Sequence, residues 1–367
     1  MEKIQLTERE KELLTILGKS PEMSMQELVN RTQYRRVSSV IKKLEQFKEQ
    51  DMVLGPFYDV NYGKLCKNPF CVLICIIEFN QSYKTVIEYL KLIEPLRIVY
   101  PVLSSHKELL NAKYFSSDNA AMVSLLQLLK DNNIITDYIT RAYSNKMVIE
   151  NPNFSGDINP SLDNLLDPCD ISDLSFRRHD TNWSECDISI LPYLKRGYKD
   201  GKLIEILRAE KKLNKPWTYH QVKYSHKKMI RNGLIEKVYL IFPFPYDQCV
   251  DFNLFVKTED TNVTQRILHN FAKGSRVAKE YVLCEDWGYV GFASHPQFLT
   301  GLMSKLDKID EITEKELYQL RSIPDRESLF SQPPELKYFD FDRQTLEYPY
   351  HVYRERVKEK LEDELLI

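Results

Sequence analysis

The sequence predicts an α+β chain in which one pair of modules is built twice, a short basic helical module followed by a strand-rich one. Three observations carry this reading. Residues 24–62 and 198–242 each read as two short helices, a long basic helix, a turn and an extended pair. Each copy is followed by a run in which strand-period and helix-period hydrophobic patterns alternate in the same order. Between the copies, residues rich in Asp, Asn, Pro and Ser show neither period, as a linker should. The predicted boundaries are 1–63 and 64–150 for the first pair, 151–186 for the linker, 187–246 and 247–313 for the second pair, and 314–367 for an acidic C-terminal extension.

In the first helical module, Thr7-Glu-Arg-Glu10 and Ser24-Met-Gln-Glu27 are capping boxes, in which hydroxyl and carboxylate satisfy each other's orphan amides at a helix start. The helix begun at Thr7 buries Leu13, Leu14 and Leu17 and ends at Gly18; the second is brief and buries Leu28 and Val29. A third, from about Gln33 to Gln50, places Val37, Ile41, Leu44 and Phe47 on one stripe. The opposite face then carries Arg35, Ser38, Ser39, Lys42 and Gln46, flanked by Arg36 and Lys43, residue types suited to phosphates and base edges. Residues 52–63 read as two short strands around a Gly-Pro turn. Helices, basic helix and hairpin in this order are the outline of a winged helix-turn-helix.

Phe70–Phe79 (strand), Tyr83–Ile93 (helix), Ile98–Leu103 (strand), Glu108–Phe115 (strand), Asn119–Lys130 (helix) and Ile134–Ala142 (strand) follow, the βαββαβ order of a ferredoxin-like sandwich. The linker holds a short helix near Leu162–Leu166, and then the pattern restarts. Asp187–Leu194, Leu203–Lys211 and Thr218–Arg231 are the three helices, the last closed by Gly233. In that last helix Val222, Met229 and Ile230 belong inside, while Tyr219, His220, Lys223, Tyr224, Lys227, Lys228 and Arg231 supply the polar surface. Leu234–Phe242 is a wing strand. The second sandwich runs through strand Val250–Lys257, helix Val263–Ala272, strands Arg276–Cys284 and Trp287–Ala293, helix Gln297–Leu306 and strand Lys308–Thr313, with a turn at Glu285–Gly288. The tail ends in a helix, Tyr353–Leu365, that serves as a packing or dimerisation arm.

Composition bounds the function. With 43% hydrophobic and 28% charged residues, the 367-residue chain buries several cores. No run approaches the roughly 18 uncharged apolar residues of a membrane span, and the first residues lack the apolar core of a signal peptide, so a cytoplasmic protein without a membrane partner is expected. The formal charge of −2 requires any nucleic-acid site to arise by local segregation. Lys195 to Arg231 indeed carries twelve Lys and Arg against three acids, whereas Asp310 to Ile367 carries nine against fifteen. The seven cysteines fall in no paired metal spacing, and Cys66, Cys71 and Cys75 crowd a strand start as small hydrophobes. No metal and no cofactor is therefore expected.

A helix-turn-helix feeding directly into a βαββαβ domain resembles the Lrp/AsnC (feast/famine) transcription regulators, here as two tandem copies over about 300 residues. Asp187-Ile-Ser-Ile-Leu191 is similar to that family's first-helix signature, and Ile230-Arg-Asn-Gly-Leu-Ile235 to its helix-to-wing junction. The resemblance implies a sequence-specific DNA-binding regulator rather than an enzyme. Recognition helices would enter the major groove of double-stranded DNA, and the βαββαβ domains would mediate assembly and bind a small-molecule effector. Phosphate contacts would come from Arg35, Arg36, Lys42, Lys43, Lys223, Lys227 and Lys228, with Ser38, Ser39, Tyr219, His220 and Tyr224 for base readout. The duplication leaves either a homodimer with four such modules or an intramolecular pseudo-dimer with two. Two other readings remain open. Sirohaem decarboxylases look like the same two-domain unit, and His220 and His226, near Tyr219 and Tyr224, are residues a tetrapyrrole could use; a protein-interaction scaffold could also reuse the winged helices.

Overall fold

The computed structural model describes residues 6–169, 180–321, 329–333 and 335–365. The first helical module comprises α1 (Glu8–Lys19), α2 (Met25–Asn30) and α3 (Val37–Glu49). Both predicted capping boxes form, Thr7 with Glu10 and Ser24 with Glu27. On α3 it is Val40, not Ile41, that joins Leu44 and Phe47 inside; Ile41 is 42% exposed. Packing decides that orientation: Val40, Leu44 and Phe47 share a cluster with Leu13, Leu14 and Leu17 of α1 and Leu28 of α2.

Next comes β1 (Val53–Val60), then β2 (Cys71–Phe79), α4 (Tyr83–Leu90), β3 (Leu96–Val102), β4 (Glu108–Ser116), α5 (Asn119–Asp131) and β5 (Asp137–Tyr143), close to the expected elements. A short strand, β6 (Val148–Glu150), leads into the linker. The linker residues 170–179 lie outside the described ones; Leu162 and Leu165 sit in turns rather than the expected short helix, and both bury their side chains in the second sandwich. α6 (Glu185–Lys195), α7 (Leu203–Lys212) and α8 (Tyr219–Arg231) form the second helical module, and Ser184 with Asp187 and Thr218 with Gln221 supply its capping boxes. Val222 and Met229 are buried as expected, but Ile230 is 38% exposed, and Ser225 completes the inward face instead.

β7 (Ile235–Ile241) opens the second half, followed by β8 (Val250–Lys257), α9 (Thr261–Asn270), β9 (Ala278–Cys284), β10 (Trp287–Ser294), α10 (Pro296–Leu306) and β11 (Glu314–Gln319). The last strand begins just after the expected segment 308–313, which turns back from α10. Its polar sequence Glu-Lys-Glu-Leu-Tyr-Gln hid it, because it pairs on one edge only, with β8. The tail adds β12 (Phe330–Ser331), a small hairpin of β13 (Phe339–Asp340) and β14 (Thr345–Leu346), and α11 (Tyr350–Leu365). This tail lies against the first sandwich: the Tyr353 ring is buried, and Glu94 binds Lys337, Tyr338 and Arg356.

The two sandwich sheets have the strand orders β12-β3-β4-β2-β5 and β11-β8-β10-β9-β6. Four strands of each follow the ferredoxin-like order, and the fifth is exchanged. β6, which leaves the first sandwich, adds to the β9 edge of the second, and β12, which leaves the second, adds to the β3 edge of the first. The open faces of the sheets meet, joined by Lys113 on β4 to Glu280 on β9 (3.3 Å) and by Arg141 on β5 to Glu316 on β11 (2.9 Å). The chain is thus its own pseudo-dimer.

Neither wing forms as a hairpin. β1 runs as one strand through Gly55 and Pro56 and pairs antiparallel with β7, Val53 opposite Ile241 and Val60 opposite Ile235. Each strand gains a partner and buries apolar residues under both helical modules, a better outcome than two exposed two-stranded hairpins. The resulting ribbon roofs the space between the sheets.

A cationic cavity between the sheets as candidate functional site

The faces of two packed sheets are normally apolar. Here β4 reads Leu109, Asn111, Lys113, Phe115 along its inward row, and β8 and β10 contribute Asn253 and Tyr289. Lys113 is 8% exposed; its ammonium donates to the Tyr289 hydroxyl (3.0 Å) and to Glu280 (3.3 Å). Tyr289 donates in turn to the Asn253 carbonyl oxygen at 2.8 Å. Burial drives the Lys113 pKa down despite Glu280, and burial together with Glu280 drives Tyr289 well above the usual phenol value. The proton shared by this pair therefore resides on an unusually acidic ammonium beside an unusually weak phenol. One step along β4, Asn111 is fully buried, and neither of its amide atoms has a partner among the described residues.

Gly291 makes room for this cluster. A Cβ there would lie 2.6 Å from the Tyr289 hydroxyl and 3.2 Å from Asn253 Oδ1. Glycine within a strand often marks such a close approach.

Arg97 is the side chain that stands out. The β3–β4 register shifts between Leu96 and Ile98, so Arg97 is the extra residue of a bulge, a device that re-aims a side chain. It turns into the cavity between the sheets. Its backbone carbonyl accepts from the Gln332 N–H, but among the described residues its guanidinium has no hydrogen bond or ion pair, only the Phe115 ring at 5.8 Å. Burial opposes its charge, but the field of Tyr62, Tyr143, Glu280 and Asp59 prevails and raises its pKa.

The cavity it enters measures about 300 Å³, the lower end of the range for small-molecule sites. Lys113, Tyr100, Asn253 and Tyr289 form its polar wall, Leu54, Leu240 and Phe242 its apolar roof, and Arg321 its rim. Arg97, Lys113 and Glu280 also line a second, smaller cavity. Lys279, another lining residue, is otherwise engaged: its ammonium caps the carbonyls of Leu268, His269 and Phe271 and pairs with Glu150, and burial lowers its pKa to about 8.

The residues expected to contact DNA lie elsewhere. Arg35, Arg36, Ser38, Ser39 and Lys42 are exposed at the start of α3, and Tyr219, His220, Lys223, Tyr224, Lys227 and Arg231 are exposed on α8. Lys43 is held by Glu10 at 2.7 Å, and Lys228 by Asp187 at 2.7 Å and the Asn182 carbonyl, over the Trp183 ring. His226 turns inward to the Tyr58 hydroxyl at 2.8 Å, away from exposed His220, so the two histidines do not converge. In the Glu285–Gly288 turn, Asp286 pairs with Lys257 at 2.8 Å, and Trp287 stacks on Arg141 at 4.0 Å. No cluster of metal-binding side chains occurs among the described residues, and none of their helices is long and apolar enough to cross a membrane.

No family model and no curated protein matches this chain. Among solved structures, two of the sirohaem decarboxylase NirDL, one with an iron-uroporphyrin III analogue, align over 96% of this chain and 98% of theirs at 11% identity, with TM-scores of 0.48 and 0.47. The leucine response regulatory protein LrpA of Mycobacterium tuberculosis covers 38% of this chain and 93% of its own at 17% identity, TM-score 0.29. LrpC of B. subtilis covers 38% and 95% at 14% identity, TM-score 0.30. The fold expectation holds, but the functional one is corrected. The structures that extend over nearly the whole chain are those of an enzyme, and the regulators reach little more than one copy. The readings as a DNA-binding transcription regulator and as a non-enzyme are therefore withdrawn. Missing wing hairpins and the internal engagement of Lys43 and Lys228 agree with that correction.

Lys113, Tyr100, Asn253 and Tyr289 were missed because each was read as part of a strand, and Arg97 because it falls one residue before the strand expected from Ile98. A signal was present: Asn111 and Lys113 fall at alternate positions of a strand whose flanks are apolar, where a sheet buried on both faces should be continuously hydrophobic.

Proposed function

We propose that this chain is an enzyme acting on a carboxylate-rich tetrapyrrole, removing a carboxylate as carbon dioxide in the manner of a sirohaem decarboxylase. The observation that carries the reading is Arg97, a largely enclosed guanidinium that opens into a cavity with no partner among the described residues. The field of Glu280 and Asp59 keeps the guanidinium charged although burial opposes it, and a guanidinium is the side chain best shaped to take a carboxylate through two parallel hydrogen bonds. A ligand carboxylate at Arg97 would take the hydrogen bonds that its guanidinium does not make among the described residues.

The surroundings suit the chemistry. Decarboxylation breaks the bond between carbon and carboxylate, leaves its electron pair on the substrate carbon and places one proton there, with no net oxidation or reduction. The apolar roof of Leu54, Leu240 and Phe242 strips water from a carboxylate beneath it, which favours departure as neutral carbon dioxide. Lys113, its proton loosened by burial, supplies the replacement proton directly or through Tyr289. The cavity admits the carboxylate-bearing edge of a macrocycle.

Incubation of the purified protein with sirohaem, with mass spectrometry of the tetrapyrrole and detection of released carbon dioxide, tests the proposal. Loss of carboxylate mass that Arg97→Leu abolishes is expected. Binding without release would make the chain a tetrapyrrole receptor, and absence of binding would overturn the reading.

A further inference from the structure

The smaller cavity, about 70 Å³, lies beneath the β1 end of the ribbon and opens from the same residues as the larger one. It is roughly twice the volume a water molecule occupies in the liquid, room for a carboxylate and little more. Its walls come from four parts of the chain. The first sandwich gives Arg97, Lys113 and Tyr143, the ribbon and the turn after it give Asp59 and Tyr62, the second helical module gives Lys195 from the last turn of α6, and the second sandwich gives Glu280.

Lys195 reaches this place because of Gly197. Gly197 has φ +63°, and a Cβ on it would run into the Pro56 carbonyl oxygen, so only glycine lets the end of α6 press against β1. Lys195 belongs to the basic run that the sequence assigns to surface charge, yet here it points inward. Its ammonium sits 4.8 Å from the centre of the Tyr62 ring, and among the described residues no carboxylate lies within ion-pair distance of it. The Tyr62 hydroxyl is buried with no hydrogen-bond partner among the described residues. Glu280 is already engaged by Lys113, and burial raises the Asp59 pKa, which weakens Asp59 as a counter-ion. Burial and the neighbouring Arg97 charge press the Lys195 pKa well below the usual lysine value, so a carboxylate bound between the two would hold the proton on Lys195. A guanidinium, an amine and a phenolic donor thus converge on one small space.

We infer that this smaller cavity is a second carboxylate subsite, in which Lys195, Arg97 and the Tyr62 hydroxyl hold one arm of a polycarboxylate whose carboxylate-bearing edge enters the larger cavity. The inference rests on the polycarboxylate reading of the larger cavity and deepens it. The second helix-turn-helix module thereby contributes a ligand-binding residue to the space between the sandwiches. Arg97, shared by both cavities, bridges two arms of one ligand, so ligands with neighbouring carboxylates are selected over those with one.

Uroporphyrin III, which carries eight carboxylates, is the probe, titrated into the full chain by absorbance and fluorescence quenching. Lys195→Met is expected to weaken its binding about tenfold or more, with Lys195→Arg recovering most of the loss and unfolding temperature unchanged or higher in both. Should Lys195→Met fail to fold, Tyr62→Phe removes one hydroxyl and keeps the ring; a weakening of about tenfold or more is expected from a lost hydrogen bond to a charged group. Wild-type binding that Arg97→Leu weakens but Lys195→Met and Tyr62→Phe leave unchanged would overturn the subsite alone. No binding by the wild type would bring down the subsite together with the polycarboxylate reading.

Discussion

Arg97 is a residue whose guanidinium leaves its hydrogen-bonding capacity unused among the described residues. Burial opposes its charge and the field of Glu280 and Asp59 more than offsets that, so Arg97→Leu should leave the unfolding temperature little changed or slightly lower while abolishing tetrapyrrole binding, a pairing that calorimetry and titration on one preparation will reveal. A variant that loses stability and binding together would mark Arg97 as structural. Gly291 makes the complementary case. Gly291→Ala forces the Tyr289 hydroxyl to move, since the new Cβ would stand 2.6 Å from it. A stability cost of about 1–3 kcal/mol, typical of overpacking, and a loss of turnover larger than the loss of binding are expected; unchanged turnover would remove Tyr289 from the proton path.

At the scale of elements, the second helical module and the first sandwich share one hydrophobic cluster, which includes Leu191 and Leu194 of α6, Tyr114 of β4 and Tyr353 of α11. The first helical module has its own cluster, and the helices of the second sandwich another. Sequence neighbours are therefore not the energetic units. Leu191→Ala, at a fully buried position, should cost about 2–5 kcal/mol and speed amide exchange in β2 and β4 as well as in α6 to α8. Exchange accelerated in α6 to α8 alone would show that the modules open independently. Ser184→Ala, which removes a capping box from α6, should cost about 1 kcal/mol and loosen the α6 start that leads to Lys195.

The whole molecule carries many phenols away from water, and that sets its response to pH. Burial pushes Tyr58, Tyr100 and Tyr239 each up to about 12 from the usual 10.0. A raised folded-state pKa contributes stability that is complete below pH 10 and is lost as pH rises from about 10 to 12. Lys279 works in the opposite sense. Its pKa of about 8, against the usual 10.5, makes its burial a cost below pH 8 that is relieved between about 8 and 10.5. Burial also pushes the thiols of Cys71 and Cys284 up to about 11 and about 12 from the usual 9.0. The unfolding temperature should thus rise or stay level from pH 8 to about 9 and fall above it, first as these thiols resist ionisation and then as the phenols do, as scanning calorimetry across this range would record. A fall beginning near pH 8 would contradict this balance.

The sequence by itself determined the two-copy order of helical and βαββαβ modules and the helix starts at Thr7, Ser24 and Thr218, because capping and hydrophobic periodicity are properties of neighbouring residues. It also determined that Asn111, Lys113 and Asn253 interrupt strands, though not what they face. Tertiary structure alone decided that β1 pairs with β7, that β6 and β12 are exchanged, and that Lys195 turns inward to meet Arg97. Those outcomes depend on contacts between residues about a hundred or more positions apart, where strand pairing and burial outweigh anything that local spacing can express.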